Sequence, residues 1–398
     1  MITEVVRVSI DGKPQDNLVP DIIELDVEED VDVADVFALR VAVTPRPNGT
    51  WTYVDDDDRF AVWRRVTVEA GYPDATETII DGYVTQIELF LSGQEEPYLE
   101  VSGMDATALM DLEDKQAAWP DKRDHEIAQE IFDGYGLSYE VEDTVTLHAE
   151  AASTVLQAET DIRFLRRLAA RNGFECHVKG ATGSFRSPNL VDPPQRTLVL
   201  ASGTEANLVD LHVRVDGLPA TAPEIRRIDP AGKQEEIKRL ADTPRRKLGR
   251  STLATLRSTL PRGRQLLRYQ VPASPTEMES RLRGAYEPAS QFVSVRGEID
   301  SRAYQAVLRA GRLVTVKGAG ESYSGLYYVS QVRHAFTADG YTQNFRAHRN
   351  GLGLTGQEQF APVALPTPIS AGADGATRPD GNRVLPPQQS TSALPGGP

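Results

Sequence analysis

The 398-residue chain predicts a mainly β, α+β protein in which two similar antiparallel β-domains flank a small α/β domain. Three observations carry that prediction: short alternating apolar runs over the first hundred residues, two helix-then-strand units after them, and a return of the first strands near the other end. With 40% hydrophobic and 25% charged residues, the chain has material for two or three packed domains.

Over residues 1–112, the runs VVRVSI, IIELDV, FALRVAV, RRVTVEA, YVTQIELFL and YLEVSG are separated by Asp, Gly and Pro turn chemistry and predict an antiparallel sheet or barrel. None approaches the roughly 20 apolar residues that span a bilayer, and MITEVVRVSIDGK reads as a strand rather than a signal peptide. The expectation is synthesis in the cytoplasm without stable membrane insertion. Next, Asp124 can cap a helix carrying Ile127, Ala128, Ile131 and Phe132, which ends at DGYG before the strand LSYEVE. The stretch QAETDIRFLRRLAARNGFECHV repeats this grammar. Thr160 or Asp161 caps it, Ile162, Leu165, Leu168 and Ala169 share one face, Asn172-Gly173 stops it, and FECHV leaves as a strand. Cys176, the sole cysteine, excludes an intrachain disulfide or a cysteine-rich zinc site and reads as a small core residue.

About 245 residues separate two similar series. RRVTVEAG (64–71), IDGYVTQIELFL and PYLEVSGMDA return as GRLVTVKGAG (311–320), SGLYYVSQVRHAF and GYTQNFRAHR. Gly82-Tyr83-Val84 falls on Tyr327-Tyr328-Val329, and Gln86-Ile87 on Gln331-Val332. Upstream, FALRVAV (37–43) can be matched to FVSVRGEI (292–299). The plain alternative is chance similarity between alternating strands. Two copies are too few for a solenoid, but three such chains closed about a threefold axis would present six similar domains, so a trimer could sit on a hexameric ring.

The formal charge of -15 is unevenly placed: residues 1–160 hold 37 acidic and 10 basic side chains, and the remainder 21 and 33. This polarity fits either solvated surfaces or head-to-tail packing through complementary potentials, and it speaks against nucleic-acid recognition by the first half. The basic stretch 224–268, with 13 basic and 5 acidic residues, lacks interleaved aromatics and reads as a dock for an acidic protein surface. DVEEDVDVAD and YVDDDDRF lack the spacing of a calcium loop and read as solvated or lumen-facing loops.

Enzyme motifs fare poorly. HEIAQ resembles a zinc-protease helix, but Gln129 stands where a second ligand to partner His125 belongs. His148, His177, His212, His334 and His348 are scattered, and no nucleophile elbow, Walker loop or dinucleotide fingerprint occurs. The reading therefore assigns no catalytic, cofactor-binding or metal residues and no cofactor, and expects no enzyme.

The stretch QAETDIRFLRRLAARNGF and the run LRAGRLVTVKG resemble late control protein D of contractile phages and the VgrG hubs. That resemblance implies two tube-type β-barrels per chain with an α/β domain between them and an insertion splitting the second barrel. Its expected boundaries are 1–112 for the first barrel, 113–200 for the α/β domain, 201–216 with 271–352 for the second barrel, 217–270 for the basic insertion, and 353–398 for a Pro/Gly-rich tail. NLVDLHVRVD would open the second barrel and SPTEMESRLRGAY would lead back into it. The tail cannot build the needle of VgrG proteins and reads as a disordered end or a tether. The implied function is the structural baseplate hub of a phage tail or contractile injection particle: a homotrimer joining a separate spike protein to the inner tube or tube-initiator proteins, with baseplate wedge components as further partners. A hub with cell-wall hydrolase activity and a two-domain glycan- or surface-binding protein are the alternatives.

Overall fold

A computed structural model describes residues 4–56, 59–73, 75–200, 205–219, 222–229, 231–242, 244–260, 264–267, 274–358, 360 and 383–385. Thirteen strands form one hydrogen-bonded sheet, so the mainly β reading holds. Along it run Leu208–Val215, Val293–Asp300, Gly340–Arg349, Gly325–Thr337, Ile22–Asp30, Val36–Ala42, Tyr98–Asp105, Ala75–Phe90, Arg65–Tyr72, Val5–Ile10 and Lys13–Pro14. Leu313–Lys317 pairs with Gly325–Thr337 and carries Gln195–Val199 parallel to it.

The expectation of two barrels needs one correction. The two β units are fused edge to edge, Gly325–Thr337 pairing with Ile22–Asp30, and among the described residues the sheet stays open instead of closing into barrels. Alternation specifies which face of a strand is buried, and leaves open which strand lies beside it. Each half nevertheless has its own core. Val8, Leu25, Val27, Leu39, Val68 and Val101 belong to the first, and Val293, Val295, Leu313, Val329, Val332 and Phe345 to the second.

The repeat is visible in the hydrogen bonding. Ile22–Asp30, Val36–Ala42, Tyr98–Asp105, Ala75–Phe90 and Arg65–Tyr72 neighbour one another in the same order as Leu208–Val215, Val293–Asp300, Gly340–Arg349, Gly325–Thr337 and Leu313–Lys317. Irregularities coincide as well. The ladder shifts between Val84 and Gln86 and again between Val329 and Gln331, leaving Thr85 and Ser330 as the extra residues. Both hydroxyls donate to the facing strand, Thr85 to Ser102 O at 3.5 Å and Ser330 to Arg346 O at 3.3 Å. A second shift lies between Ile22 and Glu24 and is matched between Leu208 and Asp210. Bulges break a ladder at one defined residue, so their agreement fixes which positions of the two copies are equivalent.

Between the halves, helices Asp124–Gly134 and Asp161–Asn172 pack on the sheet of Glu175–Lys179, Thr182–Arg186 and Ser138–Glu142. The second helix follows its sequence closely. Ile162, Leu165, Leu168 and Ala169 are all buried, Thr160 takes the N-cap position, and Gly173 closes the helix in the left-handed region at φ 69°. The first differs at its start. Arg123 occupies the N-cap position, its N–H donating to Glu126 at 2.6 Å, while Asp124 is the first helical residue and buried. Cys176 is buried as expected.

The basic insertion forms a small sheet of Glu235–Arg239, Ala222–Ile228 and Arg264–Leu267 beneath the helix Pro275–Ser290, whose N-cap Ser274 Oγ accepts from Glu277 N at 3.1 Å. Many of its cations are used internally. Buried Glu224 holds Arg226 and Arg239, and Arg227 pairs with Glu236. In the tail, Arg383–Leu385 adds a parallel strand to Ser138–Glu142, and 361–382 and 386–398 lie outside the described residues.

Candidate interaction surface

The two halves meet along a seam in which Gln331 pairs with Asp30, Arg333 with Glu28, and so on to Thr337 with Glu24. On its core face lie Val332, His334 and Phe336 against Leu25, Val27 and Glu29, all buried. On its polar face Arg333 donates from two nitrogens to Asp26 at 2.9 Å each, and Gln331 donates to Glu28. This polar face is concave, forming a groove of about 420 Å³ lined among others by Glu28, Asp210, His212, Arg296, Arg333 and Arg346.

One buried charge network locks the seam. Glu29, fully buried, accepts from Arg309 Nη2 at 2.6 Å, from Arg309 Nε at 2.9 Å and from Ala310 N at 3.2 Å, and Lys179 lies 3.6 Å away. Arg309 also reaches Glu77 at 3.0 Å, and Lys179 donates to Ala310 O at 3.1 Å. The network thus ties the first β unit, the α/β unit and the second β unit together. Burial alone would push the Glu29 carboxyl up, but the charges of Arg309 and Lys179 hold it well below the usual range. Glu29 comes from the acidic run DVEEDVDVAD, which is a strand followed by a turn exposed at Asp32 and Val33 and buried at Val31, Ala34 and Asp35, instead of the expected solvated loop. Its partners, 150 and 280 residues away in the chain, carry no local signal. Asp57 and Asp58 of the second acidic run lie outside the described residues, and Asp56 there pairs with Arg46 at 2.6 Å.

Asp35 sits in the same junction beside Asp105, whose carboxylate accepts from Asp35 N at 2.9 Å, in a cleft of about 300 Å³ shared with Lys179 and Arg309. Burial pushes the Asp35 carboxyl up to about 8, opposed by Lys179 and assisted by the negative Glu29 and Asp105. A carboxyl raised in the folded state contributes stability that is full below its unfolded value near 4 and lost as pH rises through about 8. Asp35→Asn keeps the acceptor for Asp30 N, a 2.8 Å bond, and removes the titration. Denaturant titrations at pH 5 and pH 9 should show the parent losing at least about 1.4 kcal/mol more than this variant. Equal losses would show that Asp35 does not titrate differently on folding.

The histidines singled out from the sequence do not converge. Thr144 N donates to His125 Nδ1 at 2.9 Å in a local loop contact. His148 is buried 3.1 Å from Asp124, which also holds Arg171 and Asn172. Burial would raise Asp124, yet hydrogen bonds from His148 and Arg171 bring it below the ordinary carboxylate range. His177 and His348 are lowered by burial, to about 3 and about 4. His334 stacks on Tyr341, and His212 lies on the strand Leu208–Val215. Among the described residues no three His, Cys, Asp or Glu side chains form a cluster able to hold a metal ion.

Two of the strand edges that lack a partner among the described residues are the counterparts of the seam. Leu208–Val215 has a neighbour only in Val293–Asp300, and Gln86–Phe90 only in Tyr98–Asp105. The bulges equate Gln331 with Gln86 and Glu24 with Asp210. Where Val332, His334 and Phe336 are buried, Ile87, Leu89 and Leu91 are 38%, 40% and 48% exposed, and Val215, in the place of Glu29, is 42% exposed. Sequence reading located these strands but not their open edges, because edge exposure is a property of the assembled sheet.

A family model, the Alg8 N-terminal domain, matches residues 3–338. No curated protein matches the sequence. Among solved structures, the chain is similar to the 43 kDa tail protein of prophage MuSo2 from Shewanella oneidensis, with 12% identity and TM-score 0.64, covering 87% of this chain and 99% of that one. A tail protein from Neisseria meningitidis gives 13% identity and TM-score 0.61 over 87% and 97%. An E. coli component of the type VI secretion system gives 15% and 0.50 over 93% and 82%. At these identities the likeness establishes the fold, that of phage tail and type VI secretion proteins.

Proposed function

This chain belongs to the Alg8 N-terminal domain family, and we propose that it is a non-catalytic structural hub whose three copies close a ring between the spike and the inner tube of a contractile tail or injection particle. The observation that carries the reading is the internal seam with its two unfilled counterparts. Repeating the seam between chains places Gln86 opposite Asp216, Ile87 opposite Val215, Glu88 opposite Arg214, Leu89 opposite Val213, Phe90 opposite His212 and Leu91 opposite Leu211. The match is chemical as well as geometric. Apolar side chains meet on the core face, and Glu88 meets Arg214 and His212 on the polar face, an inversion of the Arg333 to Glu28 and Asp26 pairing inside the chain.

Three chains joined in this way supply eight strands each to one wall whose concave polar face turns inward. At about 4.8 Å per strand the circumference is about 115 Å and the diameter about 37 Å before strand tilt widens it. Such closure removes the exposed edges, which would otherwise template aggregation. The two similar halves give a threefold ring pseudo-sixfold symmetry, which suits a hexameric tube on one side and a threefold spike on the other. Tube, spike and wedge proteins are the partners in this reading, and the virion or injection particle its location.

Light scattering with stained images of the same peak tests it. A mass of three chains and a ring with a central hole are expected. A monomer at all concentrations, also with the neighbouring spike protein added, would favour a two-module binding protein instead.

A further inference from the structure

The seam has a steric detail at its mouth that differs between the two copies. Val84 and Val329 are equivalent, and each is clamped by a turn: Trp63 N donates to Val84 O at 2.7 Å and Val84 N to Arg64 O at 3.0 Å, as Gly311 N donates to Val329 O at 2.8 Å and Val329 N to Arg312 O at 3.0 Å. Trp63 and Gly311 therefore occupy the same place. Both lie in the left-handed region, Gly311 at φ 83° and Trp63 at φ 68°. For glycine that is unstrained, but for a bulky residue it is an outlier that needs a compensating reason. Trp63 is also 45% exposed, beside Val62 at 51%.

Inside the chain, Gly311 faces Val31 across the seam at an ordinary contact distance, with Tyr328 Oη equally near. A side-chain carbon built on it would lie 3.8 Å from Val31 Cγ1, and Val31 is 1% exposed, its N–H donating to Ser330 O at 3.1 Å. Transposing the seam by the bulge at Glu24 and Asp210 carries Val31 onto Gly217. A side-chain carbon there would meet nothing within 4 Å, and the next residue, Leu218, is 91% exposed. The sizes are swapped. Where the internal seam sets valine against glycine, the outer edges offer glycine and tryptophan.

We propose that Trp63 of one copy seats over Gly217 and Leu218 of the next copy and anchors the seam between chains. The proposal rests on the ring reading above and adds to it the residue that dominates the contact. Tryptophans in fully desolvated pockets supply a large share of interface energy, while the surrounding strand pairing supplies register. The backbone strain at Trp63 is then kept because only the assembled form uses its side chain.

Trp63→Gly tests this without endangering the fold, since it installs the residue that the second copy carries at the same backbone geometry. Its unassembled chain should melt at the same temperature as the parent or higher, while association weakens roughly 30-fold per seam. Leu218→Ser should weaken association in the same direction. In a Trp51→Phe, Trp119→Phe background, Trp63 emission should shift to the blue and become shielded from iodide as the ring forms. A ring that assembles at unchanged concentration in Trp63→Gly, with Trp63 still open to iodide in the parent background, overturns the anchor and leaves the ring standing. Shielding of Trp63 only after another tail protein is added also overturns it. A chain that never associates removes the ring reading and the anchor together.

Discussion

Replacing Arg309 by alanine is expected to lower the unfolding free energy by about 3–5 kcal/mol, the largest single effect foreseen in the isolated chain. Arg309 supplies three short contacts to Glu29, a carboxylate with no exposure to solvent, and without it the nearby donors are Lys179 and His334, each 3.6 Å away, and the backbone N–H of Ala310. The reverse change is gentler. Glu29→Gln leaves Arg309 with its 3.0 Å contact to Glu77, whose side chain is 38% exposed, so a loss of about 1–3 kcal/mol is expected. Denaturant unfolding of both variants measures the asymmetry. Equal and small losses would mean that the network does not hold the two halves together.

Leu89→Glu should leave the chain as stable as the parent, within about 1 kcal/mol, and abolish its association. Leu89 is 40% exposed on an open edge, so the new carboxylate stays hydrated in the monomer. In the ring the same position corresponds to His334, which is fully buried, and a carboxylate there has no partner. An unpaired buried charge costs several kcal/mol, enough to weaken each seam by at least about 100-fold. Parallel melting curves and sedimentation profiles separate the two effects. Loss of stability without loss of assembly would contradict the edge assignment.

The parts of the molecule that were readable in the sequence are those specified over a few residues. The helix Asp161–Asn172 is set by apolar spacing and by a glycine that accepts φ 69°, while Thr160 occupies the N-cap position without a capping bond, its hydroxyl donating to Asp111. Ser274 does cap its helix, its Oγ accepting from Glu277 N. The repeat was readable because the two copies keep alternation in step through the shared bulges at Thr85 and Ser330. Asp124 was misplaced by one position, since its pull toward His148, Arg171 and Asn172 is tertiary and outweighs capping.

The candidate surface was readable only in halves. GYVTQIELFL and NLVDLHVRVD could be assigned as strands, yet nothing within either shows that one edge of each lacks a neighbour. Glu29 looked like one more acid in an acidic run, because its counter-charges arrive from Arg309 and Lys179, on other units of the chain. Trp63 has a signal in the sequence, for extending the repeat one step upstream sets it against Gly311. Only the positive φ gives that mismatch its meaning.

The most direct test of the ring is a designed crosslink, Leu89→Cys with Val213→Cys, in a chain whose single native cysteine is buried. Antiparallel partners lie about 4.5–5.5 Å apart at Cα, within reach of a disulfide. Oxidation at low protein concentration should give a non-reducing ladder of two and three linked chains that stops at three. A control pair shifted by one residue, Leu89→Cys with Arg214→Cys, should link far less, because the shift turns the side chains to opposite faces. Absence of linkage, equal linkage in the shifted pair, or a ladder running beyond three chains would contradict a closed threefold ring.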